Sequence, residues 1–241
     1  VNLGGLRIRR GAELIDWLEE RRSAGITGLH ASLAGCGETH DRWNGRAGDF
    51  AYQTAILRLG GERGMMRQEK LFLTKNTLPL FDRLLDILDA IPGEVRSRAA
   101  SPFFYAGLAG RYEDERLTED DRDALPGRIN ELRRGKFGNW LSEREWIPIM
   151  LETADQPRRL QLKIDVDETS IDALERASCD EVFATREREY QESYRAIPAL
   201  DALCDRYGDR DNRRVYMTSR DVEGRWLDLH HRATGIAKPI D

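Results

Sequence analysis

The chain has 241 residues, 40% of them apolar and 34% charged, with a formal net charge of -5 at pH 7. That length can bury the core of one large α/β domain or of two small ones. Charges of both signs are interspersed, which gives no basic footprint for nucleic acid. No apolar stretch approaches the ~18 residues that span a bilayer, and no signal peptide leads the chain, so a cytoplasmic protein without a membrane partner is expected. Cys36, Cys179 and Cys204 are too scattered for a disulfide framework or a CxxC metal knuckle, which predicts free thiols.

The chain opens on "VNLGGLRIRR" without an initiator Met, from which a fragment of something longer is expected. Gly4-Gly5 closes a first strand, and glycines there let a ligand approach the backbone N–H groups. "GAELIDWLEERRSAG" (11–25) has the helical rhythm of Leu14, Ile15, Trp17 and Leu18 and stops at Gly25. "ITGLHASL" (26–33) reads as a buried strand, and 49–64 as a helix with Asp49 as N-cap and Gly60, Gly61 and Gly64 as terminators. A strand over 65–74 and a helix over 76–93, stopped by Pro92 and Gly93, follow. Strand and helix alternating at this spacing predict a parallel sheet with its chemistry at the carboxyl ends of the strands.

Beyond residue 93 the pattern loosens. A short strand should run into the Gly-rich aromatic loop of 94–116, and Thr118 should cap a helix over 117–135. Residues 142–154 read as a helix on both sides of Pro148, and 159–168 as a half-exposed strand. The tail from Ser170 to His231 reads as charged helices with one break at 206–212. The expected organisation is therefore a domain over 1–135 and a mainly helical C-terminal extension over 136–241.

The densest reactive stretch is "GCGETHDRWNGRAGDF" (35–50). Cys36 and His40 have the spacing of two ligands on a helix face, but Gly35 and Gly37 argue against a helix and no partner cluster is visible. A Cys36–His40 nucleophilic pair is the second reading, and the preferred one is that Cys36 packs as a small apolar residue while "ETHD" caps the next turn. His30 reads as an interior histidine, His230 and His231 as solvated, and the acidic runs of 112–123 as helix starts rather than a cation site.

In this order, "GG" after a strand, "ITGLHASLAG", "HDRWNGRAGDF" and "LTKNTLPLFDRLLDIL" make residues 2–115 similar to the second half of the radical S-adenosylmethionine family core, most specifically over 26–50. The resemblance implies a partial (β/α) barrel of parallel strands with S-adenosylmethionine across the carboxyl ends. It places Gly4 and Gly5 against the methionine portion, Ser32 near the ribose, and Lys75 and Asn76 on the same face.

Two departures stand out. The CxxxCxxC that holds the family's 4Fe-4S cluster is absent, and Leu6 occupies the place of the acidic third residue of Gly-Gly-Glu. Without a cluster there is no one-electron donor for reductive cleavage. The chain is thus expected to derive from an enzyme that abstracts hydrogen from a peptide or small metabolite, and to be inactive as it stands. The alternative is a non-catalytic module from such a barrel that holds a peptide or protein partner. A barrel that lacks its first strand and helix exposes an unpaired sheet edge, which predicts self-association.

Overall fold

The computed structural model describes residues 1–105, 107–133, 139–154, 164 and 166–236, with backbone alone for 107–109. The chain divides into two compact units, Val1–Ser142 with Arg213–Thr218 and Glu143–Asn212 with Ser219–Asp241.

The first unit is built on parallel strands β1 (Gly28–Leu33), β2 (Met66–Leu73) and β3 (Val95–Pro102), in the order β1-β2-β3. A parallel bridge from Asn2 to His30 adds a fourth lane beside β1, and this lane ends at Gly4-Gly5 as expected. The connections carry α1 (Gly11–Ser23), α2 (Glu38–Asn44), α3 (Asp49–Glu62) and α4 (Phe81–Asp89). The α/β alternation and the parallel sheet are thus present. Among the described residues the sheet is open, with no closure into a barrel.

Strand periodicity decides which face the helices cover. Leu29, Ala31 and Leu33 of β1 and Leu71 and Leu73 of β2 are buried in one core with Leu18, Ile56, Leu57, Phe81, Leu84 and Leu88 from the helices. The alternate residues His30, Ser32, Gln68, Lys70 and Phe72 are half-buried on the other face. Parallel sheets normally bury both faces under crossover helices, so a half-exposed polar face is a departure from the usual pattern.

Several boundaries differ from expectation. Helix α3 runs through Gly60 and Gly61 to Glu62, and only Gly64, at φ +75°, supplies a left-handed stop. A Cβ on Gly61 would lie 1.9 Å from the Pro92 carbonyl oxygen, and one on Gly60 would lie 2.4 Å from Leu29 Cδ1. Close backbone approach, not termination, accounts for this pair. Asp49 is not the N-cap, since Gly48 holds that place. The helix expected from residue 76 begins with a short 3-10 turn, Leu78–Leu80, ahead of α4.

The expected helix over 117–135 is two short ones, α5 (Glu119–Asp123) and α6 (Gly127–Leu132), parted where Leu125 precedes Pro126. Thr118 does cap α5, in a reciprocal box with Asp121. A two-residue strand, β4 (Leu141–Ser142), follows.

In the second unit, Pro148 lies inside α7 (Glu143–Leu151), and α8 (Ile171–Arg176), α9 (Cys179–Tyr194) and α10 (Leu200–Tyr207) come after it. The strand expected over 159–168 falls mainly on 159–163 and 165, which lie outside the described residues. Past the break at 206–212 the chain enters the first unit as β5 (Val215–Tyr216), antiparallel to β4, before α11 (Ser219–Thr234). Arg116, fully buried, fixes this segment. Its guanidinium lies between the Phe103 and Tyr216 rings, 3.9 and 4.2 Å from their centroids, and donates to the Phe103 and Val215 carbonyls at 3.0 and 3.3 Å.

The second unit centres on Glu143, whose buried carboxylate accepts hydrogen bonds from Trp226 Nε1 at 2.6 Å, Arg225 Nη1 at 2.9 Å, the Asp209 N–H at 3.1 Å and the Asn212 amide. His230, expected to be solvated, is 3% exposed and meets the Tyr207 hydroxyl at 3.1 Å through Nδ1. Among the described residues no helix is long and apolar enough to cross a membrane.

Candidate functional site

The parallel register sends every lane's carboxyl end to one edge, where Gly4-Gly5, residues 34–37 and residues 74–77 emerge. Each turn has its own lock. The Gly4 N–H donates to Asn2 Oδ1 at 3.1 Å, and Gly5 follows at φ +76° with open space where a Cβ would stand. After β2, the Thr74 N–H donates to Thr77 Oγ1 at 2.8 Å and the Thr77 N–H donates to Thr74 Oγ1 at 3.1 Å. That reciprocal pair presents Lys75 and Asn76 at the exposed tip, and the Lys75 N–H is tied to the Glu115 carbonyl at 2.8 Å. Ser32 is half-buried on the open face and pairs in register with Lys70. Gly4-Gly5 and Lys75-Asn76 therefore lie at one edge of the sheet, and Ser32 lies one residue before the end of β1.

The stretch 35–50 is built around a buried hub. His40 Nδ1 accepts the Ala34 N–H at 3.1 Å, so the ring proton sits on Nε2, which faces Asp49 Oδ2 at 3.1 Å. The same carboxylate oxygen accepts from Asn44 Nδ2 at 2.6 Å and Gln53 Nε2 at 2.9 Å. Arg46 completes the hub by donating Nη2 to Asp49 Oδ1 and Nη1 to the Leu6 carbonyl. His40 and Asp49 are 0% and 1% exposed.

Burial holds the His40 pKa below its ordinary value, reinforced by the Arg46 charge and opposed by Asp49 and Asp41. For Asp49, burial works to raise the pKa, but hydrogen bonds from Arg46, Asn44, Gln53 and His40 outweigh it and leave the carboxyl below its usual range. Asp41 caps α3 in place of Asp49, accepting the Gly48 N–H at 2.6 Å and the Phe50 N–H at 2.8 Å.

With both ring nitrogens engaged, His40 has no lone pair to offer a nucleophile or a metal. Cys36 is buried in the helix-side core, so the packing reading of the cysteine is the one the geometry favours, and it is Asp41, not the whole "ETHD" run, that caps. Changing Cys36 to Ser is expected to cost about 1 to 2 kcal/mol through a buried hydroxyl. Urea unfolding checks this, and a loss beyond ~4 kcal/mol would point to a role other than packing.

The hub was missed by the sequence reading, although its signal is present in the i,i+4 polar pairs His40/Asn44 and Asp49/Gln53.

Comparison with known proteins gives no match. No family model fits the chain, and no curated protein and no solved structure is significantly similar to it.

The resemblance implies two groups, a 4Fe-4S cluster and S-adenosylmethionine, and the residues present meet them differently. For a 4Fe-4S cluster they do not fit: Cys36 and Cys204 are buried in separate units, Cys179 is exposed, and no group of three or more His, Cys, Asp or Glu among the described residues could hold a metal. For S-adenosylmethionine, the carboxyl edge offers open space where a Cβ on Gly5 would stand, with Ser32 near the end of β1 and Lys75 exposed just past β2.

Proposed function

We propose that the first unit is a radical S-adenosylmethionine-type partial barrel whose carboxyl edge binds S-adenosylmethionine. The observation that carries this reading is the convergence of Gly4-Gly5, Ser32 and Lys75-Asn76 on one edge of an open parallel sheet, where α/β folds hold their ligands. Gly4 and Gly5 would meet the methionine portion, Ser32 the ribose, and Lys75 and Asn76 would close the same side. In a full-length enzyme of that family, given an electron from a 4Fe-4S cluster that these residues do not hold, the cofactor would supply the radical chemistry that takes hydrogen from a peptide or small metabolite. The chain's own residues bind and orient it.

The scattered cysteines favour a second reading for the chain alone, a barrel-derived module that binds without reductive cleavage and holds a peptide or protein partner. Both readings place the ligand at the same edge. The sheet edge left unpaired beside the N-terminal lane by a missing first strand is a further element of the proposal, as a surface for self-association.

Equilibrium dialysis with labelled S-adenosylmethionine tests the reading. The unaltered chain should bind saturably, and Ser32→Val should weaken binding about tenfold by removing one ribose hydrogen bond and leaving its partner unpaired. Binding insensitive to Ser32 and to Gly5→Val, or no binding at all, would overturn it.

A further inference from the structure

We propose that Arg46, Asp49 and His40 are positioning residues that lock the Gly4–Leu6 turn and the Ala34–Gly37 loop together. This rests on the function proposed above, in which these two segments flank the ligand.

The hub spans two loops that leave different lanes of the sheet. From the Leu6 carbonyl the path runs through Arg46 to Asp49 Oδ1, across that carboxylate to His40 Nε2, and from His40 Nδ1 to the Ala34 N–H. His40 and Asp49 are shut off from water, so the link between them lacks the competition that weakens exposed pairs, while the Arg46 side chain is 25% exposed and reaches in from the rim. Asn44 and Gln53 hold Asp49 from α2 and α3 and leave the carboxylate a single orientation. The Ala34–Gly37 loop in turn abuts the turn after β2, since a Cβ on Gly35 would come within 3.4 Å of the Thr77 methyl. A staple serving only the α2–α3 connection would need no arm to Leu6.

The guanidinium can bridge because it is a fork, offering one nitrogen to Leu6 and another to Asp49. A lysine in its place can pair with Asp49 but cannot reach both partners. Arg46→Lys thus cuts the link to Leu6 while keeping the buried carboxylate neutralised.

Amide hydrogen exchange on the full chain, parent against Arg46→Lys, is the test. Exchange should rise about tenfold both at Gly5–Arg7 and at Ala34–Gly37, with β2 unchanged, as expected when one charge-assisted hydrogen bond shared by two segments is lost. A rise confined to Gly5–Arg7, or no rise at either segment, would overturn the proposal. His40→Gln supplies the converse, a cut at the Ala34 end that should loosen Gly5–Arg7. If that variant fails to fold, the Lys variant still decides.

Dialysis with S-adenosylmethionine separates the two proposals. A tenfold weaker affinity in Arg46→Lys with an unchanged melting temperature supports positioning. Joint loosening in a chain that binds no S-adenosylmethionine retains the lock and removes its ligand.

Discussion

Replacing Asp49 with Ala is expected to destabilise the first unit by about 3 to 5 kcal/mol, the scale of removing one partner from a buried ion pair. The change takes away the acceptor for His40, Asn44, Gln53 and Arg46 together, and leaves the fully buried His40 ring with an unpaired Nε2–H. Asp49→Asn should cost less, because it keeps the shape and one carbonyl acceptor while leaving the Arg46 charge unpaired. Urea unfolding of both variants measures this, and a loss under ~1 kcal/mol in Asp49→Ala would show the hub to be dispensable.

The same hub sets a pH dependence whose sign is fixed. His40 is held below its ordinary value of 6.5 in the folded chain, so below that pH the unfolded chain binds the proton that the folded chain refuses. Its contribution is complete above about pH 7 and is lost as pH falls through 6.5 toward the lowered folded value. Asp49, depressed from its ordinary 3.8, adds a second loss in the same direction at lower pH. Denaturation midpoints measured between about pH 5 and 8 should therefore fall on the acid side, and His40→Gln should flatten the upper part of that fall. A midpoint that rises on acidification would contradict the assignment.

Gly61→Ala should be comparably severe. A methyl group there meets the Pro92 carbonyl oxygen at 1.9 Å and its carbon at 2.7 Å, and these are backbone atoms that no rotamer change can move. Helix α3 must tilt away from the turn into β3, at an expected cost of about 3 kcal/mol, the upper range for overpacking. Gly127→Ala at the start of α6 is the control. It finds open space and should be neutral or stabilise by up to about 1 kcal/mol through helix propensity and chain entropy. Equal effects from the two would show that the α3 contact is not tight.

Strands β1 to β3 and helices α1, α3 and α4 were legible because apolar periodicity and glycine stops carry them, but α2 was not: Gly35 and Gly37 argued against a helix, and the helix begins directly after Gly37. The Gly60-Gly61 pair was misread because a helix terminator and a close-packing glycine look identical in sequence. Only the approach of Pro92, distant along the chain, separates them.

Strand β2 concealed a different feature. Arg67 and Glu69 occupy the same buried face as Leu71 and Leu73, where apolar residues are the rule. They are tolerated because Arg67 donates to Glu69 at 2.9 Å and caps the end of α4 through the Leu88 and Ile91 carbonyls at 3.1 and 2.9 Å, while Arg98 holds the other Glu69 oxygen. No local pattern reports such partners. The short strands β4 and β5 escaped for the same reason, as two-residue pairings between segments far apart in sequence.

At the candidate site, the turns bearing Gly4-Gly5 and Lys75-Asn76 were legible from glycine and strand-end logic. The His40–Asp49–Arg46 hub was not, because its members looked like separate reactive residues. Their hydrogen bonds join them into one network around the buried His40–Asp49 pair, and it appears only when the loop closes on α3.

The most direct test of the account is amide NMR mapping of S-adenosylmethionine on the isotopically labelled chain. Shifts concentrated at Gly4–Leu6, Ser32–Gly37 and Thr74–Asn76, saturating together with one affinity, are the predicted result. Saturable shifts that fall elsewhere, or a spectrum unmoved by the ligand, would contradict the placement of the site at the carboxyl edge of the sheet.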